Sequence, residues 1–211
     1  MGVGVVSGVD LHVFLELGIA LSMLGVGFFI GLKKKVKSCF IPKNKKIDAS
    51  YWDRHGKIHE TLSELRIKTD SARTQVVQFH NGEYFMDGVS MKLKSLTHES
   101  LANGVAGEGE KKQRLQLSVF MPIMQKVMKN SSQIHELQGE EESFCKQFLE
   151  ASNVVSFCVL PLRAKGTVTG YLTIQWCSLS KAIYTNENKV RDEIEKARDR
   201  IEVYLSQDRD K

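Results

Sequence analysis

The sequence is poor in several things that would have identified its chemistry. It has three prolines in 211 residues, too few for a long disordered tail. It has no H-E-x-x-H zinc motif, no G-x-S-x-G elbow, and no kinase or deaminase signature. The glycine-rich "LANGVAGEGEKKQ" places Glu110 where a phosphate-binding loop requires lysine, and an acid there repels phosphate. His55 and His59 stand one helical turn apart as a metal pair with no evident third ligand, so no metal site is expected. Four cysteines (Cys39, Cys145, Cys158, Cys177) at irregular spacing suit free thiols in a reducing compartment. These gaps argue against an enzyme.

Positive charge is also missing from the start of the chain. Before Lys33 there is no lysine or arginine, only Asp10 and Glu16; Lys33 to Lys46 then holds seven lysines and no acid. The remainder is balanced, with 23 basic and 23 acidic residues over 47–211. A nucleic-acid binder carries its excess charge on the folded domain, so nucleic acid is not an expected partner.

Ahead of the lysines runs "VFLELGIALSMLGVGFFIGL", residues 13–32. At helical rise, twenty residues span about 30 Å, the thickness of a bilayer core. The positive charge follows the apolar run and no small-residue cleavage site does, which points to a retained membrane helix instead of a removed signal peptide. The lysines predict a single-pass inner-membrane protein with its C-terminal domain in the cytoplasm. Gly18 with Ser22, and Gly27 with Gly31, form small-xxx-small pairs suited to helix packing and a homo-oligomer. The expected organisation is a tail over 1–12, a membrane helix over 13–32, a lysine-rich linker over 33–47 and an α/β (α+β) domain over 48–211.

In that domain, "SYWDRHGKIHETLSELRIKTDSA" spaces Tyr51, His55, Ile58, Leu62 and Leu65 along one helical face. "TNENKVRDEIEKARDRIEVYLSQ" does the same with Val190, Ile194, Ala197, Ile201 and Tyr204, with Thr185 as the N-cap. Such stripes either cover a sheet or pair two subunits. "LSVFMPIMQKVMKN" reads as a helix interrupted near Pro122, and "GEEESFCKQFLEAS" as another with acids in its first turn.

"TQVVQFH" and "SMKLKSLTHE" read as strands, and "VVSFCVLPLRAKGTVTGYLTIQWC" as a hairpin. With Lys165 and Gly166 in the turn, Val159 opposes Leu172, Phe157 opposes Ile174 and Val155 opposes Trp176. The other face then carries Ser156, Cys158, Tyr171, Thr173 and Gln175, and Cys158 faces Thr173 and not Cys177, so no disulfide forms within the hairpin.

The densest polar stretch is "QFHNGEYFMDG", 78–88. Asn81-Gly82 and Asp87-Gly88 suit tight turns. Candidate ligand-binding residues are His80, Asn81, Tyr84, Phe85, His98 and Glu99, with Cys158, Thr173 and Gln175 from the hairpin.

The element order, together with Gly170, Leu172 and Ile174 in an apolar strand and Tyr184, Thr185 and Glu187 opening the last helix, resembles a GAF domain, a relative of the PAS fold, over residues 48–206. That resemblance implies a central antiparallel sheet flanked by helices and a sensory, regulatory or assembly role. GAF ligands include cyclic nucleotides, tetrapyrroles, amino acids and haem, and some GAF domains bind none. This chain lacks an NKFDE-type signature and an evident bilin-attachment cysteine, so the cofactor is left unknown and a small-molecule ligand open. "QFHNG" and "THE" are similar to elements of uncharacterised phage-encoded proteins. The layout also resembles the lysis holin of T-even phages, which has one N-terminal spanning helix and a soluble α/β domain; that family places the domain in the periplasm, opposite to what the lysines predict here.

Overall fold

A computed structural model describes residues 49–84, 90–129, 131–178 and 181–207. The expected membrane helix with Gly18, Ser22, Gly27 and Gly31, and Phe85 with Asp87-Gly88, lie outside the described residues. Among the described residues no helix is long and apolar enough to cross a membrane.

The elements run α1 (Ala49–Thr69), β1 (Arg73–Tyr84), β2 (Ser90–Leu101), β3 (Leu115–Gln116), α2 (Met121–Met128), β4 (His135–Glu136), α3 (Phe144–Glu150), β5 (Ser156–Ala164), β6 (Thr167–Trp176) and α4 (Lys181–Gln207). The strands form one antiparallel sheet in the order β3-β2-β1-β6-β5-β4. The chain's middle closes one edge through β3 and the other through β4.

The two apolar stripes cover the sheet. Ile58, Leu62 and Leu65 of α1 and Val190, Ile194, Ala197 and Ile201 of α4 pack on Val76, Leu160, Leu162, Leu172, Ile174 and Trp176. Each such side chain contributes about 1.5–3 kcal/mol by leaving water. Leu205, not Tyr204, completes the buried stripe, while Tyr204 packs at its margin. Ion pairs Lys68–Glu193 (2.8 Å) and Arg200–Glu64 (2.7 Å) cross the outer seam between the helices. The second face of the sheet carries Val77, Leu96, Phe157, Val159 and Tyr171 beneath α2 and α3.

Helix ends depart from expectation where a nearby side chain competes better. Asn186 takes a non-helical conformation (φ −161°, ψ 81°) inside α4, and its Oδ1 accepts from Lys189 N at 3.0 Å. Asn186, not Thr185, therefore caps the long part of the helix. α3 starts after Ser143, whose hydroxyl accepts from Lys146 N, so Glu140, Glu141 and Glu142 precede the helix and are not its first turn. The apolar middle helix is a 3-10 turn over Leu117–Phe120 followed by α2, with Pro122 in the first turn, where its missing N–H costs nothing.

Asn81-Gly82 is not a turn. Both residues lie in β1, with Asn81 opposite Lys92, because β1 continues to Tyr84. The β5–β6 turn does fall at Lys165-Gly166, both at positive φ (52° and 79°), as a two-residue hairpin requires.

The hairpin register differs from the simple one. A bulge between Leu162 and Arg163 shifts β5 by one residue, so Leu160 opposes Leu172, Cys158 opposes Ile174, Val159 opposes Thr173 and Phe157 opposes Gln175. Arg163 N at the bulge donates to Glu202 Oε1 of α4 (2.7 Å). One residue of slip exchanges the two faces of a strand. Cys158 and Ser156 thus join the α1/α4 side, while Phe157 and Val159 join Tyr171, Thr173 and Gln175.

Candidate functional site

The sheet face beneath α2 and α3 holds a cluster of buried charge. β1 supplies Arg73 and Gln75, β2 supplies Lys94 and Glu99, and β6 supplies Tyr171, Thr173 and Gln175 at alternate positions, hence on one side. The loop after β2 adds Glu108 and Lys112. It is pinned to the sheet edge because Leu96 N donates to Lys112 O (2.9 Å) and Glu108 N donates to the Glu99 carboxylate (3.1 and 3.3 Å).

Gln75 is the hub. Its Nε2 donates to Glu99 Oε1 (2.6 Å) and Glu108 Oε2 (2.7 Å), and its Oε1 accepts from Lys112 Nζ (3.1 Å). Lys112 is ion-paired with Glu108, and Arg73 Nε lies 3.9 Å from the same carboxylate. Arg73 also donates to Ser152 O (2.9 Å). Burial works against the charge on Glu108, but Lys112, Ser152 and Gln75 outweigh it and hold the carboxyl below its usual range.

Lys94 lies apart from this pairing. Its Nζ donates to Tyr171 Oη (2.9 Å) and stands 3.2 Å from the Phe120 ring centroid. Burial, with the charge of Lys112, lowers its pKa to about 7. Burial also raises the Tyr171 phenol well above its ordinary value, so it stays protonated.

A cavity of about 20 Å³ separates the cluster from the helices. Gln75, Lys94, Lys112, Tyr171, Thr173 and Gln175 form its polar wall, and Ile123, Phe148, Leu149 and Phe157 its apolar one. Gln175 is 2% exposed, and its Oε1 has no hydrogen-bond partner among the described residues. Two wider clefts of about 480 Å³ are open to solvent, one between α2 and α3 and one between α1 and α4.

Of the sequence candidates, Glu99, Thr173 and Gln175 meet at this cluster. His98 does not. A bulge between Val76 and Val77 turns it toward α1, where its Nε2 lies 2.7 Å from His55 Nδ1. Cys158 lies on the opposite face, with its thiol pushed up to about 12 by burial. His80 Nε2 lies 2.9 Å from Ser95 Oγ, and Asn81 Oδ1 accepts from Lys92 (2.7 Å), both toward the outer end of β1 and β2. Tyr84 ends β1. Cys145, Cys158 and Cys177 are free thiols. Among the described residues no group of three or more His, Cys, Asp or Glu side chains could hold a metal ion, and His55 meets His98 between α1 and β2.

Sequence reading missed Arg73, Gln75, Lys94, Glu108 and Lys112. Arg73 and Gln75 alternate with Thr74 and Val76 in a strand, a sign of a polar inner face that was there to be read. Nothing local distinguishes Lys94 or Lys112 from solvated lysines.

No protein-family model matches the sequence, and comparison with curated proteins finds no match. Solved structures do match. The blue-light absorbing form of the Thermosynechococcus elongatus PixJ GAF domain is 13% identical, with 78% of this chain and 90% of that one covered at a TM-score of 0.57. A red/green cyanobacteriochrome in its red light-absorbing state is 15% identical, covering 74% of this chain and 95% of that one at 0.53. The phycocyanobilin-bound GAF domain of a cyanobacterial phytochrome is 16% identical, covering 73% and 85% at 0.51. The chain has a GAF-like fold.

Proposed function

We propose that the chain is a membrane-tethered, non-catalytic GAF-like sensory or assembly module whose sheet face beneath α2 and α3 reads a small molecule. The observation that carries this reading is Gln175, a buried amide whose oxygen has no hydrogen-bond partner among the described residues and which lines a small cavity walled by charge. An unpaired buried acceptor costs roughly 1–3 kcal/mol, and a ligand that donates to it recovers that cost.

Size limits the ligand. Pockets for drug-sized molecules run to roughly 300–1,000 Å³, against about 20 Å³ here. The bilins named for the structural neighbours are therefore not carried over to this cavity. Occupancy reaches α1 across the thickness of one sheet: Thr74 Oγ1 donates to Leu62 O (2.9 Å) and Trp176 Nε1 to Thr69 O (3.0 Å). A ligand that prefers one arrangement of the cluster shifts α1 and α4 with it. Exposed Ile67 and Val203 on these helices support pairing of two subunits.

Native mass spectrometry of the full chain in detergent tests the ligand: a small mass excess is expected, reduced in Gln175→Leu. A bare mass in both proteins would remove the sensory half and leave the assembly role. A topology reporter after Lys211 tests the tether. Cytoplasmic activity without toxicity supports this reading, whereas periplasmic activity with lysis on expression favours the holin-type alternative.

A further inference from the structure

Lys94 is 4% exposed yet forms no ion pair among the described residues. Its amine has one hydrogen-bond partner, the Tyr171 hydroxyl, and lies against the Phe120 ring. Lys112, on the same cavity wall, is matched by Glu108. The two lysines therefore differ in kind: one is a paired cation and the other an amine in an aromatic niche. Burial and the Lys112 charge bring Lys94 to a pKa of about 7, so much of it is the neutral, nucleophilic form near neutral pH.

The space beside this amine, about 20 Å³, exceeds what one water needs and limits any entrant to a very few heavy atoms. It excludes nucleotides, sugars and tetrapyrroles. The opposite wall, of Ile123, Phe148 and Leu149, is apolar, so an uncharged entrant pays little desolvation there.

We propose that Lys94 is a carbon dioxide capture site, its Nζ reversibly converted to a carbamate within the sheet-face cavity. This rests on the reading of the cavity as the ligand site and names the ligand class. The Nζ lone pair forms a bond to the carbon of carbon dioxide while one C=O π pair moves onto oxygen. Nitrogen then releases one proton to solvent, giving R–NH–COO⁻ and H⁺ from R–NH₂ and CO₂, with no oxidant or reductant. The Lys112 ammonium and the Tyr171 and Thr173 hydroxyls border the cavity as donors to the new carboxylate. The carbamate N–H is a donor of the kind that Gln175 Oε1 lacks. Capture replaces a neutral or cationic side chain by an anion beside the Glu108–Lys112 pair, which makes it a switch of charge inside the domain.

The test is the full chain equilibrated with ¹³C-labelled carbon dioxide and bicarbonate at pH 7.5, trapped with a trialkyloxonium salt and digested for mass spectrometry. The peptide containing Lys94 is expected to carry the alkylated carbamate at an occupancy of roughly 600-fold above exposed lysines, the ratio of neutral amine at pH 7.5 that a pKa near 7 gives against an ordinary lysine. The wild-type label decides the matter without any variant. In the folded Lys94→Arg protein, checked by near-UV circular dichroism, the ¹³C carbamate resonance is expected to disappear. Label at Lys94 no higher than at exposed lysines, or label concentrated on Lys112, would overturn the proposal. A different small mass retained in native spectra alongside that negative result would leave the ligand-binding reading intact, so the two failures are distinguishable.

Discussion

His55 and His98, 43 positions apart, meet ring to ring: Nδ1 of one lies 2.7 Å from Nε2 of the other, with centroids 4.8 Å apart and planes 14° from parallel. His98 Nδ1 lies 3.0 Å from Thr97 Oγ1. The pair fastens the first half of α1 to β2. The bond needs one nitrogen as donor and one as acceptor, so it fails when both rings are protonated.

The pair makes stability depend on acid. Burial, then the charges of His55 and His59, lower the His98 pKa from 6.5 to about 4. The unfolded chain therefore binds the proton more readily, and the contribution of His98 is complete above pH 6.5 and lost as pH falls through 4. The loss is at most about 3 kcal/mol. Urea midpoints measured across this window should fall more steeply for wild type than for His98→Phe; parallel curves would show that the pair is not coupled to folding.

Lys94 acts in a different window. With a folded pKa of about 7 against 10.5 unfolded, its neutral form contributes stability that is full above pH 10.5 and lost as pH falls through 7. In carbon dioxide-free buffer, wild type should gain stability relative to Lys94→Met between pH 7 and 10. Equal pH slopes for the two proteins would mean that the amine is hydrated and ordinary.

Removal of one charge from the buried pair should be far worse than removal of both. Glu108→Leu strands Lys112, at an expected cost of about 3–5 kcal/mol. Adding Lys112→Met should recover most of that loss, since an apolar pair needs no partner. A double-mutant cycle in chemical denaturation measures the coupling; additive losses would count against the network.

Gly170 is irreplaceable for a packing reason. A Cβ there would stand 2.1 Å from Val77 O, because β1 and β6 close on each other at that point. Gly170→Ala should destabilise by more than about 3 kcal/mol or prevent folding. Gly139→Ala, with nothing within 4 Å of the added carbon, should change stability by less than about 0.5 kcal/mol. Thermal denaturation of the two variants makes the comparison.

The parts of this protein that could be read without coordinates are those set by near neighbours. Stripes such as Ile58, Leu62 and Leu65 repeat with the helical period, and Lys165-Gly166 supplies two positive φ angles between alternating strands. Those signals gave helices, strands, the hairpin turn and the GAF-like outline. Only the tertiary structure decided the face on which each hairpin residue lies, because the bulge between Leu162 and Arg163, where Arg163 N donates to Glu202 of a helix 39 residues later, has no local mark in the sequence. It also decided the site. Lys94, Glu108 and Lys112 look like solvated charges in the chain, and they become a cluster because strands and a loop distant in sequence close over them. Periodicity is local and survives in a string of letters; burial, which turns a lysine into a reactive amine, is a property of everything folded around it.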